Sequence, residues 1–276
     1  MYPFGQMVAL TTVILGCAAA PLYAQWHDVR TKVPLTAAGT PNLEAPAPAM
    51  ADGRPDLSGL WDAERMPCDE TKARLGCIDA QTGIPPQAIN IAPNLPMQPW
   101  AEALVKQRGA DLGKDDTVAR CLPIASPRAW PSFAMQKIIQ TADSLTILDE
   151  YMLQYRQIFL DGRTLPKNPE PSFKGYSVGR WDGDTLVVET SGYKDGQWLD
   201  IMGHPLTDQA RTVERIRRVN YGTLQVELTV DDPKAYTKPW MSTFKLSLAI
   251  NTDLLEYVCN ENEKSLQHMV GPTAAK

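Results

Sequence analysis

Thr223-Leu-Gln-Val-Glu-Leu-Thr-Val-Asp231 decides the fold class. Leu224, Val226, Leu228 and Val230 fall on one face of an extended chain, and Gln225, Glu227 and Thr229 on the other. Side chains alternate across a strand with period two, so the segment has one apolar and one polar face. An antiparallel sheet with one side on a core produces this pattern. Phe244, Leu246, Leu248 and Ile250 repeat it. Working outward, the reading predicts further strands over 57–61, 136–140, 145–151, 155–160, 176–181, 185–190, 212–220, 242–250 and 254–260. Turn chemistry separates them: Ala142-Asp143-Ser144, Asp161-Gly162, Asp182-Gly183-Asp184, Tyr221-Gly222 and Asn251-Thr252-Asp253.

Strands joined mostly by tight hairpins form a meander, and a meander this large hides its edges best by closing. The expected fold is all-β, an antiparallel up-and-down barrel of about 8–10 strands with a long irregular N-terminal segment. A β-sandwich is the alternative. Residues 1–24 read as a signal peptide, 25–55 as a Pro/Ala-rich linker or strap, and 56–276 as one barrel domain. Within it 62–135 is irregular, apart from a helix over 99–108. Long irregular stretches in compact domains often carry function.

No Asp, Glu, Lys or Arg precedes Asp28 in the chain of 276 residues. The apolar run 7–20 is shorter than the about 20 residues a transmembrane helix needs, and suits the core of an export signal cleaved after Ala24. Periplasmic or secreted placement follows, with a lipid anchor at Cys17 as the minority route. Export makes Cys68, Cys77, Cys121 and Cys259 disulfide candidates, with three connectivities open. The short spacing favours Cys68–Cys77, and Cys121–Cys259 would then tie the start of the main domain to its last strand. Tight Cys-x-x-Cys spacing is absent, and His27, His204 and His268 are scattered, so no metal site is expected. A net charge of −5, from 27 basic and 32 acidic residues, argues against a nucleic-acid partner. No transmembrane segment is expected, and the reading admits a homodimer.

Several stretches resemble a family of exported, mostly uncharacterised bacterial proteins. They are Asp52-Gly-Arg-Pro-Asp-Leu-Ser-Gly-Leu-Trp61, Cys121-Leu-Pro with Pro127-Arg128, and Arg156-Gln-Ile-Phe-Leu-Asp-Gly-Arg163. Further on come the stretch from Gly175 to Thr190, Glu214-Arg215, Asp231-Asp-Pro-Lys-Ala-Tyr236 and Glu256-Tyr-Val-Cys-Asn-Glu261. Gly59-Leu60-Trp61 also resembles the Gly-x-Trp of the first strand in lipocalin-like (calycin) barrels. The resemblance implies such a barrel. For some relatives it implies cofactor-free decarboxylation of a lignin-derived phenylcoumaran carboxylic acid.

Residue types suited to that chemistry are present. His204 lies between strands near Asp200 and Asp208, where a neutral-range titrating group could move a proton. A buried Glu214 would serve as a general acid of raised pKa. Arg156 could hold a carboxylate, as could Arg163 or Arg128. Tyr155 and Tyr176 would handle a substrate phenol, while Tyr151 and Trp181 would pack against its rings. The expected catalytic set is therefore His204, Glu214, Tyr176 and Tyr155. The substrate-binding set is Arg156, Trp181, Asp200 and Tyr151. The expected function is cofactor-independent decarboxylation of a small-molecule aromatic acid. The competing expectation is a non-catalytic periplasmic carrier or sensor of a hydrophobic small molecule.

Overall fold

The computed structural model describes residues 32–64, 91–92 and 94–261. Nine strands close a barrel: β1 (Gly59–Ala63), β2 (Gln136–Gln140), β3 (Ser144–Asp149), β4 (Gln154–Phe159), β5 (Tyr176–Asp182), β6 (Thr185–Ser191), β9 (Arg211–Arg218), β10 (Thr223–Asp231) and β11 (Trp240–Leu248). Strands β7 (Gln197–Trp198) and β8 (Pro205–Leu206) make a small separate hairpin between β6 and β9. Around the ring the order is β1, β11, β10, β9, β6, β5, β4, β3, β2.

The barrel expectation holds, but the all-antiparallel expectation does not. A closed ring with an odd number of strands cannot alternate direction throughout, so at least one adjacent pair must run parallel. That pair is β4–β5, joined only by Ile158↔Ser177 and Phe159↔Val178. The long connection 160–175 reverses the chain and makes this seam the shortest contact in the wall. The strand expected over 254–260 is also absent. Strand β1 occupies the edge it would need, pairing Trp61 with Leu248 and Ala63 with Leu246. Residues after β11 are instead tied down by the Cys121–Cys259 disulfide, whose Cα atoms are 5.6 Å apart.

Alternation places Leu224, Val226, Leu228 and Val230 in the core beside Ile216, Phe244 and Leu246. Each such fully buried side chain contributes on the order of 2 kcal/mol of transfer free energy. Helix α1 (Pro99–Ala110) starts with Pro at its first position, where the missing N–H costs nothing. The short helix α2 (Ser126–Ala129) carries the chain to Trp130, which is buried within the barrel. Residues 32–55 run over the β9–β10 turn, where Tyr221 and Gly222 donate backbone N–H groups to Ala45 and Leu43. The signal-peptide reading of 1–24 and the Cys68–Cys77 pairing fall outside the described residues.

Candidate functional site

The candidate residues divide among five places, because adjacent residues on a strand face opposite ways. Arg156 points into the barrel, and its neighbour Tyr155 points outward and is 70% exposed. Inside, Arg156 meets Glu214 in a two-pronged ion pair, Nη1 to Oε1 at 3.0 Å and Nη2 to Oε2 at 2.5 Å. Arg156 Nε also donates to Ser177 Oγ, and Nη2 donates to Thr190 Oγ1. Trp130 Nε1 donates to Glu214 Oε1 at 2.7 Å. Burial disfavours the Arg156 charge, but the Glu214 carboxylate outweighs it and the guanidinium stays above its ordinary value. Both partners are almost wholly enclosed, and with Ser177 and Thr190 the pair joins four barrel strands, β4, β5, β6 and β9, and the Trp130 loop.

Near this pair, Tyr193 Oη lies 3.0 Å from Ser126 Oγ and 2.8 Å from Thr212 Oγ1. Burial pushes its phenol up.

His204 and Asp200 meet elsewhere, in the β7–β8 hairpin. His204 Nδ1 is 2.6 Å from Asp200 Oδ2. The same carboxylate accepts the backbone N–H groups of Ile91, Met202 and His204. Asp200 is thus the anchor of this loop as well as the partner of the imidazole. Asp208 lies apart, bound to Lys234 at 2.9 Å. Tyr151 lines a third place, a cavity of about 130 Å³ beside the Arg128–Asp116 ion pair. Its ring contacts Phe133 and Tyr257, and burial pushes its phenol up. Trp181 packs partly buried against the core, two strand positions beyond Gly179 and away from the seam.

Tyr155 and Tyr176 come together in the fifth place. A groove of about 470 Å³ follows the β4–β5 seam, and Arg156 and Ser177 are among its lining residues. Tyr155, Phe159, Phe173 and Tyr176 line it, and Phe159 stacks on Tyr176 with ring centres 5.2 Å apart. Arg163 lies 3.8 Å from the Phe159 centroid and donates to Tyr176 Oη at 3.1 Å. Lys194 Nζ sits 4.7 Å from the Phe173 centroid. The groove is therefore aromatic with two cations on its rings, of which Arg163 is already paired with Asp161 at 2.6 Å.

Lys174 lines the same groove with a largely buried side chain and is bound to Asp149 Oδ2 at 2.5 Å. Burial lowers its ammonium pKa, against the pull of Asp149. Gly175 sets its direction: φ is +70°, and a Cβ there would meet Thr190 Cγ2 at 2.6 Å. Sequence reasoning passed over Lys174, Asp149 and Phe173, because a lone lysine before a glycine carries no motif.

A reading of the sequence as free of Gly-x-Ser-x-Gly is also wrong, since Gly175-Tyr-Ser-Val-Gly179 has that spelling of hydrolase nucleophile elbows. The context differs from an elbow. Ser177 lies within β5, almost fully buried, with Arg156 and Thr190 as hydroxyl partners.

Among the described residues, no cluster of three or more His, Cys, Asp or Glu could hold a metal ion, and no helix is long and apolar enough to cross a membrane. No protein-family model and no curated protein matches the chain.

Proposed function

We propose that the protein binds a small aromatic carboxylic acid in the groove along the β4–β5 seam, acting outside the cytoplasm as a carrier or sensor. One observation carries this reading: four aromatic side chains line the groove, and Arg163 and Lys194 lie on two of their rings. An aromatic body would stack there, and its carboxylate would meet Lys194, or Arg163 in competition with Asp161, which already holds that guanidinium at 2.6 Å. The Cys121–Cys259 disulfide fits an oxidising compartment, periplasmic or secreted. Titration with benzoate and hydroxycinnamates, followed by perturbation of protein NMR signals, tests it. Phe173→Ala and Phe159→Ala should each weaken binding several-fold. Unchanged affinity in both variants would overturn the assignment.

The second reading is cofactor-independent decarboxylation of such an acid. It is favoured by the contact from Arg163 to the Tyr176 phenol at the groove, which places a cation where a substrate phenolate would form. Loss of the phenol proton gives the substrate quinone-methide character, protonation of the alkene carbon beside the carboxylate follows, and carbon dioxide leaves. Glu214 and His204 lie away from the groove lining, so the proton transfers fall to its own residues. Carbon dioxide release from a hydroxycinnamate, reduced in Tyr176→Phe, would support this reading. Binding without release would leave the protein a carrier.

A further inference from the structure

We propose that Lys174 captures an aromatic aldehyde as a reversible Schiff base in the seam groove. The inference rests on the groove being a seat for aromatic ligands and names the covalent chemistry available there. Lys174 is the amine in the groove lining, which it shares with Tyr155, Phe159, Phe173 and Tyr176. Its Nζ is held by Asp149 Oδ2 at 2.5 Å, and Asp149 Oδ1 is buried with no hydrogen-bond partner among the described residues. The carboxylate therefore has an oxygen free for a water or hydroxyl beside the amine. Desolvation favours the neutral amine, the form that attacks a carbonyl.

The step balances within these groups. Lys174 passes one ammonium proton to Asp149. The free amine adds to the aldehyde carbon, forming the C–N bond as the carbonyl oxygen becomes a hydroxyl. Asp149 returns its proton to that hydroxyl, water leaves, and a protonated imine remains. One aldehyde and one ammonium thus give one iminium and one water, with no oxidant or reductant. An aromatic aldehyde is conjugated with its own ring, and the groove aromatics would hold that flat body against the amine.

The test uses the full chain with benzaldehyde and sodium cyanoborohydride, followed by peptide mapping. The expected result is a benzyl group on Lys174 in excess of label on exposed lysines such as Lys194, and its loss in Lys174→Arg. Label spread over exposed lysines with Lys174 unmodified would overturn the proposal, and mapping the unaltered chain gives that answer without any variant. Benzoate titration separates the two claims. If benzoate binds the groove while Lys174 stays unlabelled, covalent capture is wrong and the binding reading stands. If Lys174 is labelled but benzoate does not bind, capture stands without the acid-binding role. If neither occurs, both fall.

Discussion

The guanidinium of Arg218 lies 4.9 Å from the Trp61 ring centre and donates to the backbone carbonyls of Asp56, Ser58 and Tyr221. Its other contact is the Tyr221 ring, with the centroid 5.0 Å away. One side chain of β9 therefore clamps the segment entering β1, the strand that closes the barrel. Trp61 completes the clamp by donating its indole N–H to Leu57 O. Burial lowers the Arg218 pKa, with Asp56 opposing. Arg218→Met keeps most of the apolar stem and loses the carbonyl contacts. It should cost roughly 2–4 kcal/mol in urea unfolding. Arg218→Lys should recover only part of this, because an ammonium lacks the planar fork that reaches several carbonyls. A loss below about 0.5 kcal/mol, the usual range for a surface change, would show that the clamp is idle.

Period two carried most of the wall. Leu224 to Val230 sit where alternation puts them, as do Ile138, Leu145 and Ile158. The same rule puts Tyr155 and Arg156 on opposite faces of β4, although both are among the residues lining the seam groove. Closure was harder to read, because β1 pairs with β2 and β11 across long stretches of chain. Local pattern says nothing about which edge a distant strand will take, so 254–260 looked like a strand without being one. The interior polar residues were legible as candidates but not as partners. Nothing near Trp130 in sequence shows that its indole will meet Glu214, 84 positions away.

The Arg156–Glu214 pair should behave as a coupled unit. Glu214→Leu leaves a buried guanidinium without its carboxylate, and should cost about 3–5 kcal/mol. Arg156→Met leaves the carboxylate stranded, with a loss of similar size. The double variant should be more stable than the sum of the two losses predicts, since neither charge is then left unpaired. Chemical denaturation of all four proteins measures the coupling. Additive losses would mean that the two residues act independently.

The Cys121–Cys259 bridge joins residues separated by 138 positions and fixes the chain after β11. Closing so long a loop restricts the unfolded chain, and the entropy model gives a stabilisation of about 4–5 kcal/mol. Cys259→Ser should therefore lower the unfolding midpoint markedly, and reductant should lower the parent's midpoint by more than the variant's. Tyr257 lies two residues from the bridge and contacts the Tyr151 ring, so fluorescence from the 130 Å³ cavity should change with it. Equal midpoints with and without reductant would show that the bridge adds nothing.

Lys174 should give the folded state a distinct alkaline signature. Burial and the nearby Arg156 charge lower its pKa from the ordinary 10.5, while Asp149 and Glu214 pull the other way. The folded protein therefore releases this proton at a lower pH than the unfolded chain. Between the two values the unfolded chain holds more protons, so stability rises with pH, and the gain is complete once both states are neutral. Lys174→Met removes the titration. The stability of the parent relative to Lys174→Met should accordingly climb with pH below the ordinary lysine value of 10.5 and level off above it. Urea unfolding of both proteins across that range reads the difference directly. A difference that falls with pH would mean that folding strengthens the hold on the proton, and that Asp149 outweighs burial.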